Sequence, residues 1–224
     1  MSKNRYEIID HLKAIAVILM VIYHLAYDLY VLRVLDFNMG QSDFWYVQPK
    51  IIIFLFLFSM GINLCVVYKN GVDTKKLTKR FLKLLAISAV LSVVTYIYYP
   101  SKWIYFGVIH HIAFASVVGI YFLKKPKISL VLGLIVLFPS VFLGYDYPFY
   151  KPNPFPLDYV PPLPWFGCVL LGIYAYSKNL HKLKIPGHRF KSLFKFLGKH
   201  SLFIYLTHQL VLYPLIYLIK KYIL

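Results

Sequence analysis

Long apolar stretches constrain the fold of this chain more than any other feature. A helix needs about 20 largely apolar residues to cross the hydrocarbon core of a bilayer. All but the first stretch lack Lys, Arg, Asp and Glu, and the first carries Asp28 and, at its start, Lys13. The stretches cover residues 12–32, 51–68, 84–99, 103–123, 128–145, 160–177 and 200–219. We therefore predict an all-α polytopic bundle of about seven transmembrane helices, forming a single domain over residues 1–224.

Composition excludes the common soluble classes. Of the 224 residues, 60% are hydrophobic and 15% are charged, whereas soluble domains carry about 25% charged residues. An ordinary soluble enzyme, a disordered tail and a nucleic-acid-binding module are all inconsistent with these values. Cys65 and Cys168 lie inside apolar runs, so neither a disulfide framework nor a zinc-finger spacing is present.

The formal charge of +17 is best explained as an orientation signal, because cytoplasmic loops of membrane proteins are rich in Lys and Arg. With the N-terminus in the cytoplasm, most of the 25 basic residues fall in cytoplasmic segments. Four of the eight acidic side chains then fall on the outer loops, at Asp36, Asp43, Asp146 and Asp158. We predict a multi-pass protein of the cell membrane with a cytoplasmic N-terminus and an outer C-terminus.

Two predicted outer loops differ from simple connectors. The first, 36–50, carries Trp45, Tyr46 and Gln48, and the second, 145–164, is dense in proline and aromatic residues. Because proline fixes φ and removes a donor, we predict an extended, rigid cap over 145–164. No internal repeat is visible, so the inverted-repeat plan of many transporters is not supported.

Ionisable side chains inside predicted spans are costly and mark sites by default. At 1.5 Å per residue, His24, His110 and His208 fall within about one helical turn of the same depth. His24 and Asp28 are four residues apart and share a helix face. A carboxylate there would orient the imidazole and raise its basicity, as general-base catalysis requires.

His110 and His111 are adjacent and point about 100° apart on a helix. Only one of them can face the same cavity as His24, and the sequence leaves open which one does. The small residues Gly61 and Gly172 are predicted to let helices approach closely.

Five stretches, in order along the chain, resemble one family. They are IDHLKAIAVILMVIYH at 9–24, FLFLFSMGIN at 54–63, FGVIHH at 106–111, LDYVPPLPWFG at 157–167 and LGKHSLFIYLTHQ at 197–209. The first resembles the opening helix of the heparan-α-glucosaminide N-acetyltransferase catalytic-domain family, a family of transmembrane acyltransferases. The length is similar to that of its compact prokaryotic branch. Lys13 and Ala14 stand where the family usually has an Arg-Gly pair.

The resemblance implies acetyl transfer from cytoplasmic acetyl-CoA to an amine or hydroxyl acceptor, a sugar above all, at the outer side. His24, oriented by Asp28, would act as base while His110 polarises the thioester carbonyl. Alternatively, one imidazole is acetylated and then resolved by the acceptor. Glycans, lipids, small amines and alcohols are candidate acceptors, and a homo-oligomer is compatible with the sequence.

The remaining candidate residues fall into two sets, and none is assigned to a metal. Substrate-binding candidates are Gln48, Asn63, His111, Trp165, His208 and Gln209. Candidates for binding the phosphates of CoA are Lys75, Lys76, Arg80, Lys124 and Lys125. Taken without the resemblance, the same His and Asp residues leave two alternatives open: a zinc-dependent membrane hydrolase and a proton-coupled transporter.

Overall fold

The computed structural model of the protein describes residues 6–35, 39, 42–145, 147–148, 154–187 and 189–222. Within these ranges the chain is helical and contains no strand, only an isolated bridge between Phe106 and Tyr159. The helices are α1 (Glu7–Val31), α2 (Asp43–Val67), α3 (Thr74–Tyr98), α4 (Val108–Val118), α5 (Pro126–Phe142), α6 (Pro162–Ser177), α7 (Lys191–Lys199) and α8 (Ser201–Tyr222). Short 3-10 turns cover Gly119–Phe122 and Leu180–Lys182. The all-α prediction is confirmed for the described residues.

Four helices, α1, α2, α3 and α8, are long and apolar enough to cross a membrane. The other three predicted stretches also form helices, α4, α5 and α6, but these have 11, 17 and 16 residues. They are shorter than the roughly 20 residues that a span requires. The chain is therefore a helical membrane protein, while seven spans and the cytoplasmic N-terminus stay predictions.

Two predicted boundaries differ from the structure for identifiable reasons. Helix α2 begins at Asp43, so Trp45, Tyr46 and Gln48 are helical and do not lie on a loop. A hydropathy window does not detect this start, because its first turns are polar and aromatic. Helix α4 begins only at Val108, since Phe106 accepts a backbone hydrogen bond from Val160 (2.9 Å) and remains extended.

Part of the predicted outer cap at 145–164 lies outside the described residues, and so do the acidic positions Asp36 and Asp146. Residues 146 and 149–153, together with Asp36, lie outside the described ranges. The described residues 154–161 form no helix, in agreement with the proline-rich composition of this stretch.

By its internal contacts the chain divides into two compact units. The first unit comprises Met1–Phe56 and His181–Leu224, and the second comprises Leu57–Leu180. A buried apolar cluster fills the first unit, and its members come from α1 and the early part of α2: Ala16, Val17, Met20, Ile52 and Phe56. Ile204 and Tyr205 of α8 pack against that cluster.

Helices α1 and α8 of the first unit run in the same direction. Helix α7, which directly precedes α8, contacts the start of α1 through an ion pair between Lys191 and Glu7 (2.9 Å). At the other end of the two helices, the Lys220 ammonium donates to the carbonyl oxygen of Leu32 (2.6 Å), just past the end of α1. A cation at the C-terminus of a helix satisfies carbonyls that have no partner within the helix.

In the second unit, α5 packs against α6, and α3 packs against α4. Glycines permit the closest approach of α2 and α6 there. A Cβ added at Gly61 would overlap the carbonyl oxygen of Val169, and one added at Gly172 would overlap that of Phe58. The prediction that these two glycines allow close helix contact is confirmed.

Candidate functional site

The structure brings His24 of α1 and His208 of α8 into direct ring contact. Their ring centroids lie 4.6 Å apart with the planes at 74°, an edge-to-face arrangement. His24 lies one turn beyond Met20, which belongs to the buried cluster of the first unit. His24 lies in the second half of α1 and His208 in the first half of α8, and the two rings meet at one level of the parallel helices.

Backbone carbonyls fix the orientation of both rings. His24 Nδ1 lies 2.9 Å from the carbonyl oxygen of Met20, and His208 Nδ1 lies 2.8 Å from that of Tyr205. A carbonyl oxygen only accepts, so Nδ1 is the protonated nitrogen of each ring. In the neutral form each imidazole then carries its lone pair on Nε2. The pair therefore offers two basic nitrogens, and His208 Nε2 is buried without a hydrogen-bond partner in the described chain.

Asp28, one turn beyond His24, is only 2% exposed. Its Oδ1 accepts a hydrogen bond of 3.1 Å from the side-chain amide of Gln209, the neighbour of His208. Asp28 does not bond His24, contrary to the sequence-based prediction, because the Met20 carbonyl already holds His24 Nδ1. The carboxylate is instead tied to α8. We call His24, Asp28, His208 and Gln209 the imidazole–carboxylate cluster.

The buried free polar atoms of this cluster are acceptors. Asp28 Oδ2, Gln209 Oε1 and His208 Nε2 are buried and have no hydrogen-bond partner among the described residues. An unpaired buried polar group costs about 1–3 kcal/mol, so the arrangement suits a ligand that supplies N–H or O–H donors. Hydroxyl groups and amines supply them, whereas carboxylates and phosphates do not.

Gln48, predicted to bind substrate, is a buried residue of α2 in the first unit. Its amide donates to the carbonyl oxygen of Leu19 on α1 (3.1 Å), while its Oε1 is buried and unpaired in the described chain. Gln48 thus joins α2 to α1 and leaves one further acceptor atom in this unit.

His110 lies in the second unit, and both of its ring nitrogens are used by the protein. Nδ1 accepts from the backbone N–H of Gly107 (3.2 Å), and Nε2 lies 3.1 Å from the hydroxyl of Ser92. That hydroxyl donates to the carbonyl oxygen of Ile104 (2.6 Å). His110 therefore fastens the start of α4 to α3. These bonds fit a positioning residue better than the predicted carbonyl-polarising one.

His111 is fully buried in the second unit, with Nδ1 3.2 Å from the carbonyl oxygen of Val160. Its Nε2 has no hydrogen-bond partner in the described chain. Nearby, Asp158 Oδ2 accepts from the N–H of Val108 (2.9 Å) and caps α4, as carboxylates do at helix N-termini. Of the two adjacent histidines, His111 is the one that keeps a free nitrogen.

The other predicted site residues also belong to the second unit. Asn63 of α2 and Trp165 of α6 are half-buried. The cations proposed for CoA binding lie on the first turns of α3 and around the start of α5: Lys75, Lys76, Lys124 and Lys125 are exposed, and Arg80 is half-buried. Their exposure is compatible with binding phosphate.

A metal centre finds no support in the described side chains. No group of three or more His, Cys, Asp or Glu residues in the described ranges is arranged to hold an ion. A zinc-dependent hydrolase requires three such protein ligands. The described part of the chain provides no such ligand set.

Sequence reasoning missed the contacts that define the cluster. The carbonyls of Met20 and Tyr205 carry no side-chain signal, although a histidine ring can reach the carbonyl three or four residues earlier on its own helix. His11 repeats the pattern, with Nδ1 2.8 Å from the carbonyl oxygen of Glu7. Gln209 was predicted to touch substrate, but its bond to Asp28 was not foreseen.

The whole cluster lies inside a family match. The family model described as heparan-α-glucosaminide N-acetyltransferase, catalytic, matches residues 5–210. No curated protein and no solved structure matches the chain.

Proposed function

Because the chain belongs to the heparan-α-glucosaminide N-acetyltransferase catalytic-domain family, we propose that it moves an acetyl group from acetyl-CoA to an amine or hydroxyl acceptor. The family supports acetyl transfer, and the four apolar helices support action within a membrane. One observation carries the assignment of residues. His24 and His208 meet with Nε2 as the basic nitrogen of each ring, beside the buried carboxylate of Asp28.

The reaction needs a group that accepts a proton and later returns it. As the acceptor N–H or O–H attacks the thioester carbonyl, an imidazole Nε2 takes its proton. The C–S bond then breaks, and the imidazolium returns the proton to the departing thiolate, so that free CoA thiol and acetylated acceptor are formed. Nδ1 stays bonded to a backbone carbonyl throughout, which keeps each ring in place.

A covalent route uses the same atoms. One Nε2 attacks the thioester carbonyl, the C–S bond breaks, and CoA leaves as the thiolate while the ring nitrogen becomes acetylated. The acceptor then attacks the acetyl carbonyl and loses its proton, the N–acetyl bond breaks, and the thiolate ends as free CoA thiol. In this route the second imidazole serves as the base for the acceptor. Two imidazoles in contact can take these two roles. The proposal includes both the direct route and the covalent route.

Asp28 has an electrostatic role in either route. Each route places positive charge on an imidazole, and a carboxylate within the same buried cluster stabilises that charge in a medium of low dielectric constant. The amide of Gln209 holds the carboxylate to α8. Asp28 thereby acts on the imidazole pair as a whole, without a hydrogen bond to His24.

The free acceptor atoms support a polyhydroxylated or amine-bearing substrate. A sugar presents several O–H donors, and an amino sugar adds N–H donors, matching Asp28 Oδ2, Gln209 Oε1 and His208 Nε2. For the donor substrate, the phosphates of CoA require cations. The exposed lysines Lys75, Lys76, Lys124 and Lys125, with Arg80, are our candidates.

The test is transfer of labelled acetyl from acetyl-CoA by the purified chain in proteoliposomes. Amino sugars, neutral sugars and small amines are offered separately, and CoA thiol release is measured in parallel. We expect labelled product with at least one acceptor, in equal amount to the thiol released. Absence of transfer to every class, together with no thermal stabilisation by acetyl-CoA, would contradict the proposed function.

The chain offers a matched pair of variants for assigning the residues. His24→Asn removes Nε2 while leaving a polar side chain near the Met20 carbonyl. His11→Asn makes the same change on the same helix, at a ring with the same bond to the carbonyl four residues earlier. We expect at least about a hundredfold loss for His24→Asn and less than threefold for His11→Asn. Equal losses would show that damage to α1, and not the loss of a base, lowers the rate.

A further inference from the structure

Helix α7 (Lys191–Lys199) exposes a mixed apolar and basic face that the proposed chemistry does not use. Leu193 and Phe196, three residues apart and therefore neighbours on the helix surface, are 48% and 58% exposed. Lys195 and Lys199, four residues apart, are exposed beside them. The helix is too short to cross a bilayer, and its composition is that of an interfacial amphipathic helix.

The opposite face of α7 is fixed to the start of α1. Phe194 stacks on the ring of His11 at 5.2 Å between centroids. Gly198 lies against the backbone of Asp10 so closely that a Cβ would overlap the Asp10 carbonyl. Since Phe194 and Gly198 are one turn apart, a single stripe of α7 faces α1. The mixed face therefore points away from α1.

Chain continuity places α7 at the edge of the membrane. It packs against the first turns of α1, and only His200 separates it from α8. Both α1 and α8 are long and apolar enough to span a bilayer, and they run in the same direction. A helix attached to the beginning of two such spans lies where the headgroups are.

The charge around α7 is of one sign. Residues 178–200 contain no Asp or Glu, and their basic residues are Lys178, Lys182, Lys184, Arg189, Lys191, Lys195 and Lys199. Within the described ranges, Lys191 is the one of these residues that has an ion-pair partner, Glu7. Clusters of basic residues beside a span attract anionic lipid headgroups.

We propose that α7 lies along the membrane surface and docks on anionic lipid. Leu193 and Phe196 enter the boundary between headgroups and acyl chains, while Lys195 and Lys199 contact the headgroup phosphates. The same face would suit neither a water-exposed surface, because of its apolar side chains, nor a purely zwitterionic bilayer, because of its unbalanced charge. By its contacts with His11 and Asp10, the docked helix also holds the start of α1.

The experiment is hydrogen–deuterium exchange of the full chain in lipid nanodiscs, read on peptides that cover α7. One disc contains phosphatidylcholine alone, and the other contains phosphatidylcholine and phosphatidylglycerol at 7:3. Each Lys near an anionic surface strengthens attachment about fivefold. Since two lysines contribute, we expect α7 amides to exchange roughly 25-fold more slowly in the anionic disc, and Lys195→Gln/Lys199→Gln to abolish that difference.

Three controls separate the explanations. Lys195→Arg/Lys199→Arg keeps the charge and should keep the difference. Lys79→Gln/Lys83→Gln removes two exposed lysines at the same spacing on α3 and should leave α7 exchange unaltered. Unchanged exchange in α1 and α8 verifies folding. Equal exchange of α7 in the two discs would overturn the proposal. So would slowing by free CoA in phosphatidylcholine alone, since α7 would then bind a soluble phosphate.

Discussion

His24 and His208 of the first unit and His110 of the second carry similar sequence signals, yet their bonding differs. In the first unit, His24 and His208 each bond one backbone carbonyl through Nδ1 and keep Nε2 as the basic nitrogen. In the second unit, His110 uses both nitrogens within the protein, one on Gly107 and one on Ser92. All three residues were predicted at one depth, and each lies in an apolar helix.

The predicted depth of a residue identifies a buried histidine from the sequence. Its hydrogen bonds in the structure then indicate its role. A ring with one nitrogen held and the other free can take a proton or an acyl group. In His110 both nitrogens are held by groups that join the start of α4 to α3, so we assign it a structural role. The predictions below test that division.

The largest expected effect comes from removing the imidazole pair of the first unit. His24→Asn and His208→Asn should each lower acetyl transfer at least about a hundredfold. The double variant should be little worse than either single one, because groups that act as a unit lose their contribution together. Initial rates of the three variants, corrected for folded protein, measure this. Losses that multiply in the double variant would show two independent sites.

Asp28→Asn is expected to lower transfer about 10- to 100-fold, since it removes the negative charge that stabilises an imidazolium. Asparagine has nearly the same shape, and its amide oxygen can still accept from Gln209. Apparent thermal stability in detergent should therefore stay within a few degrees of wild type. A large fall in stability with a matching fall in activity would make Asp28 a structural residue only.

An intermediate effect, on the free energy of unfolding, is expected from a substitution at the contact between α7 and α1. Gly198→Ala places a Cβ on the Asp10 carbonyl and should cost about 1–3 kcal/mol by overpacking. Gly187→Ala is the matched control, because among the described residues no atom beyond its chain neighbours lies within 4 Å of its added Cβ. Thermal unfolding of both variants gives the comparison. Equal stabilities would show that α7 does not pack tightly on α1.

The smallest effect on catalysis is expected from His110→Ala. Loss of two hydrogen bonds should lower stability by about 1–3 kcal/mol, while the rate per folded molecule should change less than threefold. Ser92→Ala removes one of the same bonds together with the bond to the Ile104 carbonyl, and should produce a comparable loss of stability. A hundredfold loss of rate at unchanged stability would place His110 in the chemistry instead.

Hydropathy and helical geometry predicted much of this architecture. The seven apolar stretches all became helices, and counting residues along two spans placed His24 near the level at which it meets His208. The side-chain contacts and one helix start could not be predicted, because nearby backbone groups compete for the same atoms. The reach of His24 Nδ1 to the Met20 carbonyl displaced the predicted bond to Asp28, and backbone pairing at Phe106 shortened the predicted fourth helix. Helix α7 was not predicted, because its nine residues include a lysine in each turn and are too short and too polar to count as a transmembrane stretch.

The most direct measurement of the central claim is the ratio of two rate losses in the same reconstituted preparation. Transfer of labelled acetyl is measured for wild type, His24→Asn and His110→Asn, with each rate divided by folded protein. We expect His24→Asn to lose at least about thirty times more activity than His110→Asn. A ratio near one, or a larger loss for His110→Asn, would contradict the assignment of the imidazole–carboxylate cluster.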